Sequence, residues 1–328
     1  MKSHTAKTIL LLLLAITMIT MPVLATESTT PMPENLVPAA EDLELTTYRE
    51  VSVTGALVAV DPEGDVLEYR IMRAPRKGDI QLDEMSGHFT YTPRAGERGR
   101  DHFTYVAVDA NGNVSEEATV RIRIERQSTR VQYADMTGHH AHLAAISLAE
   151  REIFVGEQIG GRHFFSPDAP VRRGEFLAMS LRLADADLLD RVVRTGFADD
   201  YAIADWLRPY VSTAVLDGVV SGIRRADGYF VFEPANYITL GEAAVILNNV
   251  LGLPDVPVFA TLQTDIVTPP WAHQATVNLS TRNIISPATA HVYYETLSRA
   301  DVAELLLGAA HLLEGRAAPT PGLLRWAA

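Results

Sequence analysis

Hydrophobic and polar positions along the chain follow two different periods. From about Glu41 to Glu125 the period is two: "VSVTGALVAV", "LEYRIM", "GHFTYTP", "DHFTYVAV" and "ATVRIRI" alternate between Gly, Asp, Asn and Pro turns. Short alternating runs at close spacing predict a small β-sandwich over 41–126 with one apolar interior. In the last run Val120, Ile122 and Ile124 share one face, and Arg121, Arg123 and Glu125 share the other. After Arg126 apolar residues recur at three and four, as in Phe176, Met179 and Leu183, then Ala244, Leu247 and Leu251, then Val302, Leu305 and Ala309. That spacing predicts amphipathic helices.

The helical part repeats. "FFSPDAPVRRGEF" aligns without a gap with "FVFEPANYITLGEA": an aromatic, one residue, Pro, three residues, a branched apolar residue, two residues, Gly-Glu, then a helix. An acidic aromatic opener precedes each, "YADM" at Tyr133 and "FADD" at Phe197, and a Gly-containing turn follows near Gly156 and Gly218. A looser third copy matches Trp271 to Trp206 and Pro287 to Pro234, and closes on "LSRAD". Its stretch from Pro287 to Leu297 is longer than that from Pro234 to Ile238, which predicts an insertion or a remodelled loop. Copies at 131–190, 195–254 and 262–315 are each too short to bury a core alone, so they are expected to fold as one unit.

The pentapeptides "VRRGE", "ITLGE" and "LSRAD" open helices. Thr239 with Glu242 is a capping box, and Ser298 with Asp301 repeats it with a shorter acid. Arg172 takes the cap position of the first copy, a poor capper, while Glu175 still favours the positive helix end. Helix starting leaves two arginines unexplained. Arg173 and Arg299 fall at the first helical position, where a cation opposes the dipole, and Leu240 stands there in the second copy. Two readings are open: an anion bound by the helix N–H groups and the guanidinium fork, or pairing with a neighbouring carboxylate.

In the "FxD…W" opener, the Gly218/Gly222 "GxxxG" turn, the "FxP" segment and the pentapeptides, residues 133 to about 314 resemble three tandem surface-layer homology (SLH) modules. The resemblance implies a pseudo-threefold helical bundle whose grooves bind acidic secondary cell-wall polysaccharide, often carrying pyruvate ketals. It makes Arg173 and Arg299 the leading glycan contacts, with Arg172 a partial substitute in the first copy. Leu240 departs from the pattern and implies either a degenerate groove or one that binds through other residues. Trp206 and Trp271 are either groove aromatics that stack on sugar or, as expected first, core residues.

"DPEGD" and "DANGNVS" gather Asp61, Glu63, Asp65, Asp109, Asn111 and Asn113 in two loops of the sandwich. Hard oxygen ligands of this kind suit Ca²⁺, although Asp, Asn and Gly are also ordinary turn residues. Residues 44–125, with "GxLxAxDPEGDxLxY" and "GxFxYTP", resemble cadherin-like, immunoglobulin-like bacterial surface repeats, which implies a spacer or adhesion module, sometimes calcium-dependent. The expected fold is therefore multidomain: an all-β immunoglobulin/cadherin-like sandwich, then a mainly α pseudo-threefold SLH bundle.

Composition narrows this further. Lys2 and Lys7, the apolar run after them and "VLA" ending at Ala25 predict a signal peptide over 1–25, followed by a flexible leader over 26–40 and, at the far end, a tail over 316–328 carrying Trp326. The net charge of −13 argues against nucleic acid, and the absence of cysteine excludes disulfides and thiolate metal sites. His139, His140 and His142 read as a surface cluster, and Asp199–Asp200 and Glu116–Glu117 as solvated faces. No nucleophile, zinc or phosphate-loop motif is present. The expected function is a non-catalytic protein of the bacterial cell wall, anchored to acidic polysaccharide and displaying the β module, with no cofactor unless Ca²⁺. Two alternatives are a calcium-dependent adhesion or array protein with a scaffold of repeats, and an accessory subunit of an envelope enzyme.

Overall fold

The computed structural model describes residues 35–257, 269–285 and 293–315. The predicted signal peptide, the leader up to residue 34, Pro287 and the tail with Trp326 lie outside the described residues.

The sandwich contains β1 (Ala39–Ala40), β2 (Leu43–Tyr48), β3 (Val53–Ala56), β4 (Ala59–Val60), β5 (Glu68–Arg73), β6 (Gly78–Leu82), β7 (His88–Pro93), β8 (Gly99–Val108) and β9 (Ala118–Glu125). One sheet runs β2-β9-β8-β5 and the facing one β3-β7-β6, with β1 and β4 forming a separate pair. β2 lies parallel to β9, while the other pairings are antiparallel. The alternation of β9 holds: Val120, Ile122 and Ile124 are buried and Arg121, Arg123 and Glu125 exposed. They pack with Phe89 and Phe103, whose rings meet edge to face at 5.2 Å, and with the fully buried Tyr91 and Tyr105. β2 and β6 carry weak alternation ("LELTTY", "GDIQL") and were not singled out by it; cross-strand pairing recruits them.

The helical region comprises α1 (His142–Glu150), the hairpin β10 (Glu157–Ile159) and β11 (Arg162–Phe164), α2 (Arg173–Leu183), α3 (Arg208–Leu216), the hairpin β12 (Ile223–Arg224) and β13 (Phe230–Val231), α4 (Leu240–Val250), α5 (His273–Ser280) and α6 (Arg299–Leu313). Among the described residues each copy supplies two helices, yet the pairs cross between copies: α3 packs on α2, α5 on α4, and α1 on α6. The first copy therefore completes the third, and the arrangement closes on itself. At its centre the residue before each pentapeptide's cap closes a ring of backbone hydrogen bonds. Val171 N–H donates to the Leu297 carbonyl at 3.0 Å, Ile238 N–H to Val171 at 2.9 Å, and Leu297 N–H to Ile238 at 2.9 Å. One apolar core runs through all three helix pairs.

The third copy has no extra loop at this ring. Gly174 N–H donates to the Pro234 carbonyl, Ala300 N–H to Pro167, and Gly241 N–H to Tyr293. Tyr293 thus occupies the position of Pro234, in place of the expected Pro287.

The acidic openers hold the "FxP" segments. The Asp135 carboxylate accepts from the Phe165 and Ser166 N–H groups at 3.0 and 2.7 Å, and Asp199 accepts from Phe232 and Glu233 at 2.9 and 2.7 Å. Ser166 and Glu233 have φ of 55° and 56°, a left-handed conformation unfavourable for residues with a side chain, which the carboxylates stabilise. Asp199 is buried rather than part of a solvated face. Gly156 and Gly222 enter the hairpins with φ of 74° and 77°, and a Cβ on either would lie 2.3 Å from a carbonyl or an aromatic ring. In the turn, Gly222 is therefore the counterpart of Gly156, and Gly218 is not.

The sandwich is seated on the first helical copy. Val51, from the turn after β2, is 2% exposed and belongs to the helical core, and Leu143 packs against both cores. Tyr48 Oη donates to Glu150 at 2.7 Å, and that carboxylate also accepts from Ser128 N–H and Oγ–H at 2.6 and 2.9 Å. None of the described helices is long and apolar enough to cross a membrane.

Candidate functional site

The three helix starts cap as their sequences predict. Thr239 N–H donates to Glu242 at 3.1 Å and Glu242 N–H to Thr239 Oγ1 at 3.4 Å; Ser298 and Asp301 exchange the same bonds at 2.8 and 3.2 Å. In the first copy only the return half forms, Arg172 N–H donating to Glu175 at 3.0 Å, because an arginine side chain has no acceptor. The helix ends are not open anion sites. Arg173 N–H donates to the Asn236 carbonyl at 2.8 Å, Leu240 N–H to Glu295 at 3.2 Å and Arg299 N–H to Ala169 at 2.8 Å, and the next N–H of each helix is also taken, as described above. The expectation that these N–H groups assist the arginines in holding an anion is therefore corrected.

The two arginines have separate fates. Arg173 is 7% exposed; its guanidinium donates to the Phe232 carbonyl at 2.9 Å and is paired with Glu242 and, at 3.5 Å, Glu233. It is a buried tie between the first two copies, and its expected role as a glycan reader does not fit a group so enclosed. Arg299 donates to the Phe165 carbonyl at 3.0 Å and to Glu157, on the exposed β10 strand, at 2.9 Å, and its guanidinium lies 5.1 Å from the centre of the Phe154 ring. Two positions differ around them: the counterpart of Glu233 in the first copy is Ser166, too short to bind Arg299, and the counterpart of Ile223 is Glu157, which takes Arg299 instead.

Arg299 lines a groove of about 280 Å³ together with Glu175, Met179, Arg182, Trp206 and Tyr210. Trp206 is 57% exposed and meets Tyr210 edge to face at 6.3 Å; Trp271 is 54% exposed. Neither indole is a core residue, contrary to the first expectation. Each precedes its helix by two residues and lies outside the packed face, where Leu207 and Ala272 are buried instead. Trp206 has room over α2 because Ala178 is small. Arg172 is exposed and is not among the groove-lining residues, so it does not substitute for Arg173 or Arg299 there.

The corresponding groove between α6 and α1 is different at both variable positions. His140 precedes buried Ala141 as Trp206 precedes Leu207, and Leu240, fully buried, replaces Arg299. The counterpart of Ala178 is Glu304, which pairs with His140 Nδ1 at 2.8 Å. Burial works against a charge on His140, but the hydrogen-bonded Glu304 carboxylate, with Asp301 and Asp168 nearby, raises its pKa above the ordinary 6.5. Burial, helped by His139, pushes the His142 pKa down to about 4. His139 stacks on His140 at 4.3 Å and His142 is 6% exposed, so this is a packed seam and not the surface cluster expected.

In the sandwich, Asp61, Asp65 and Asp109 bring carboxylate oxygens within 4.8 Å of one another. Asp61 Oδ1 accepts from the Glu63 and Asp65 N–H groups at 3.0 Å, whereas its Oδ2 is buried without a hydrogen-bond partner. Asp109 accepts from Asn111 and Asn113 N–H at 2.9 and 2.8 Å and from the Asn113 amide at 2.9 Å. Asn111 Nδ2 reaches Asp65 at 3.4 Å, and Glu63 turns away to accept from Leu36 N–H at 3.3 Å. Three of the six expected ligands thus converge, and the hard, partly orphaned oxygen set fits a Ca²⁺ ion.

Residues 35–126 match the family model of the bacterial cadherin-like domain. This part of the chain is a bacterial cadherin-like domain. Among solved structures, Drosophila N-cadherin EC1-3 is similar at 19% identity and a TM-score of 0.24, covering 30% of this chain and 36% of that one. The D00-D0 domain of intimin gives 16% and 0.21, covering 29% and 51%. The SrpA adhesin of Streptococcus sanguinis gives 18% and 0.22, covering 31% and 62%. The chain spans less than two thirds of each of these structures. No curated protein sequence matches it.

Proposed function

We propose that the chain is a non-catalytic surface protein that holds an acidic cell-wall polysaccharide in the Trp206–Arg299 groove and displays the cadherin-like domain. The observation that carries this reading is the half-exposed Trp206 beside Arg299 in one groove. An indole offers a sugar ring an apolar face, and a guanidinium offers a carboxylate a two-pronged donor. The cyclic packing of the three helical copies supports the reading as SLH modules, and it places residues of all three around this groove. Co-sedimentation of the full chain with purified wall glycan tests it. Trp206→Ala and Arg299→Ala should each release the protein into the supernatant; retention equal to the parent would overturn the assignment.

A second reading is favoured by the three converging carboxylates: the cadherin-like domain uses Ca²⁺, held by Asp61, Asp65 and Asp109, to stiffen its loops for adhesion. Millimolar Ca²⁺ should raise the melting temperature of the full chain, as any ligand of the native state does. Asp65→Asn should abolish that rise, and a parent protein that melts identically with and without the ion would exclude this use.

A further inference from the structure

We propose that the cleft between the sandwich and the first helical copy is a second binding site, for an acidic saccharide. The cleft has a volume of about 930 Å³, within the roughly 300–1,000 Å³ of small-molecule sites. Three arginines line it: Arg49 from the turn after β2, and Arg126 and Arg130 from the segment joining β9 to the helical region. None of the three has a carboxylate partner among the described residues, although the chain carries a net charge of −13. Glu50 also lines the cleft, and one of its oxygens accepts from Gly96 N–H at 3.3 Å.

The inner wall carries a second, independent signal. Tyr133 and His142 line the cleft, are 5% and 6% exposed, and keep Tyr133 Oη and His142 Nδ1 without any hydrogen-bond partner. Buried polar atoms of this kind are costly unless something comes to meet them. Burial, with Asp135 nearby, pushes the tyrosine hydroxyl up, so it stays a donor. Burial likewise keeps His142 neutral at pH 7, free to donate or accept. Three unpaired guanidinium groups, with the polar Gln127, Ser128, Thr129 and Gln132 in the same lining, match a molecule with an anionic group and several hydroxyls. The lining offers no exposed aromatic face for a nucleobase, so the sugar class is favoured over nucleotides. The joint itself is firm, because Val51 and the Tyr48–Glu150–Ser128 bonds hold the two walls together.

The site does not rest on the wall-anchoring reading, and the two are separable. Isothermal titration of the full chain would use digalacturonate, glucose 6-phosphate, inorganic phosphate and neutral cellobiose. Binding of either acidic sugar, no binding of cellobiose, and a loss of about tenfold or more in the Arg126→Ala, Arg130→Ala double variant are expected, with Arg224→Ala, an exposed arginine outside the cleft, unchanged. The arms separate a sugar carboxylate from a sugar phosphate. Three results would overturn the proposal: no binding of either acidic sugar at millimolar concentration, equal affinity in the double variant, or inorganic phosphate bound as tightly as the sugar phosphate. Arg126 and Arg130 are exposed, so the fold should survive. If the double variant melts early, Arg130→Gln alone carries the test.

Discussion

The groove at Trp206 and Arg299 and the groove at His140 and Leu240 are built on the same helix-start hydrogen bonds, and they differ in the side chains that face each other across them. In the first, a small residue, Ala178, leaves an indole at the surface and an arginine at the rim. In the second, Glu304 fills the space, His140 pairs with it, and a buried leucine replaces the arginine. One is an open, partly aromatic surface; the other is a closed seam between the first and last copies. A repeated backbone therefore does not imply a repeated site, because helix starting needs only the cap, whereas recognition needs the residues around it.

The remaining arginine gives the strongest way to break this comparison. Arg173→Ala should destabilise the chain by about 3 kcal/mol in chemical denaturation, because it removes a buried guanidinium from the part-buried Glu242 and from the Phe232 carbonyl. Arg299→Ala, which loses the Phe165 carbonyl but only an exposed carboxylate in Glu157, should cost less, about 1 kcal/mol. Equal losses would remove the distinction between a tie and a reader.

The closed seam should make stability depend on pH. His142 is neutral in the fold and protonates freely when unfolded, so stability is lost as pH falls from 6.5 toward about 4, by roughly 2–3 kcal/mol. His140 has the opposite sign: its contribution is full below pH 6.5 and fades as pH rises through its raised folded value. His142→Leu should flatten the acid limb of a melting-temperature profile and Glu304→Gln the other. A profile unchanged by both would refute the assignment.

A smaller effect separates the caps. Thr239→Ala should lower stability by about 1 kcal/mol, while Arg172→Ala should be close to neutral and Arg172→Ser stabilising by some tenths, all readable by thermal melts. A change of similar size is expected in affinity. Trp206→Ala should weaken glycan binding by about 1 kcal/mol and His140→Ala should leave it unaltered, measured by titration with wall glycan. A loss in both would mean that the two grooves act alike.

Much of the architecture was legible from periodicity. The alternation at Val120, Ile122 and Ile124 specified a strand with one buried face, and the Thr239 and Ser298 boxes specified helix starts, because both are local rules read from neighbours in sequence. The sequence also distinguished Leu240 from Arg173 and Arg299. It did not distinguish Arg173 from Arg299, since their partners, Glu242 and Glu157, come from other copies through packing that no local pattern encodes. Nor did it reveal that Tyr293 replaces Pro287, that Asp135 and Asp199 brace strained residues, or that His142 is buried. Sequence alone determined which backbone devices recur, through period, cap and turn chemistry. Tertiary structure decided which arginine is enclosed and which indole faces water, because closing the ring brings residues far apart in sequence into contact, and those contacts set burial and charge.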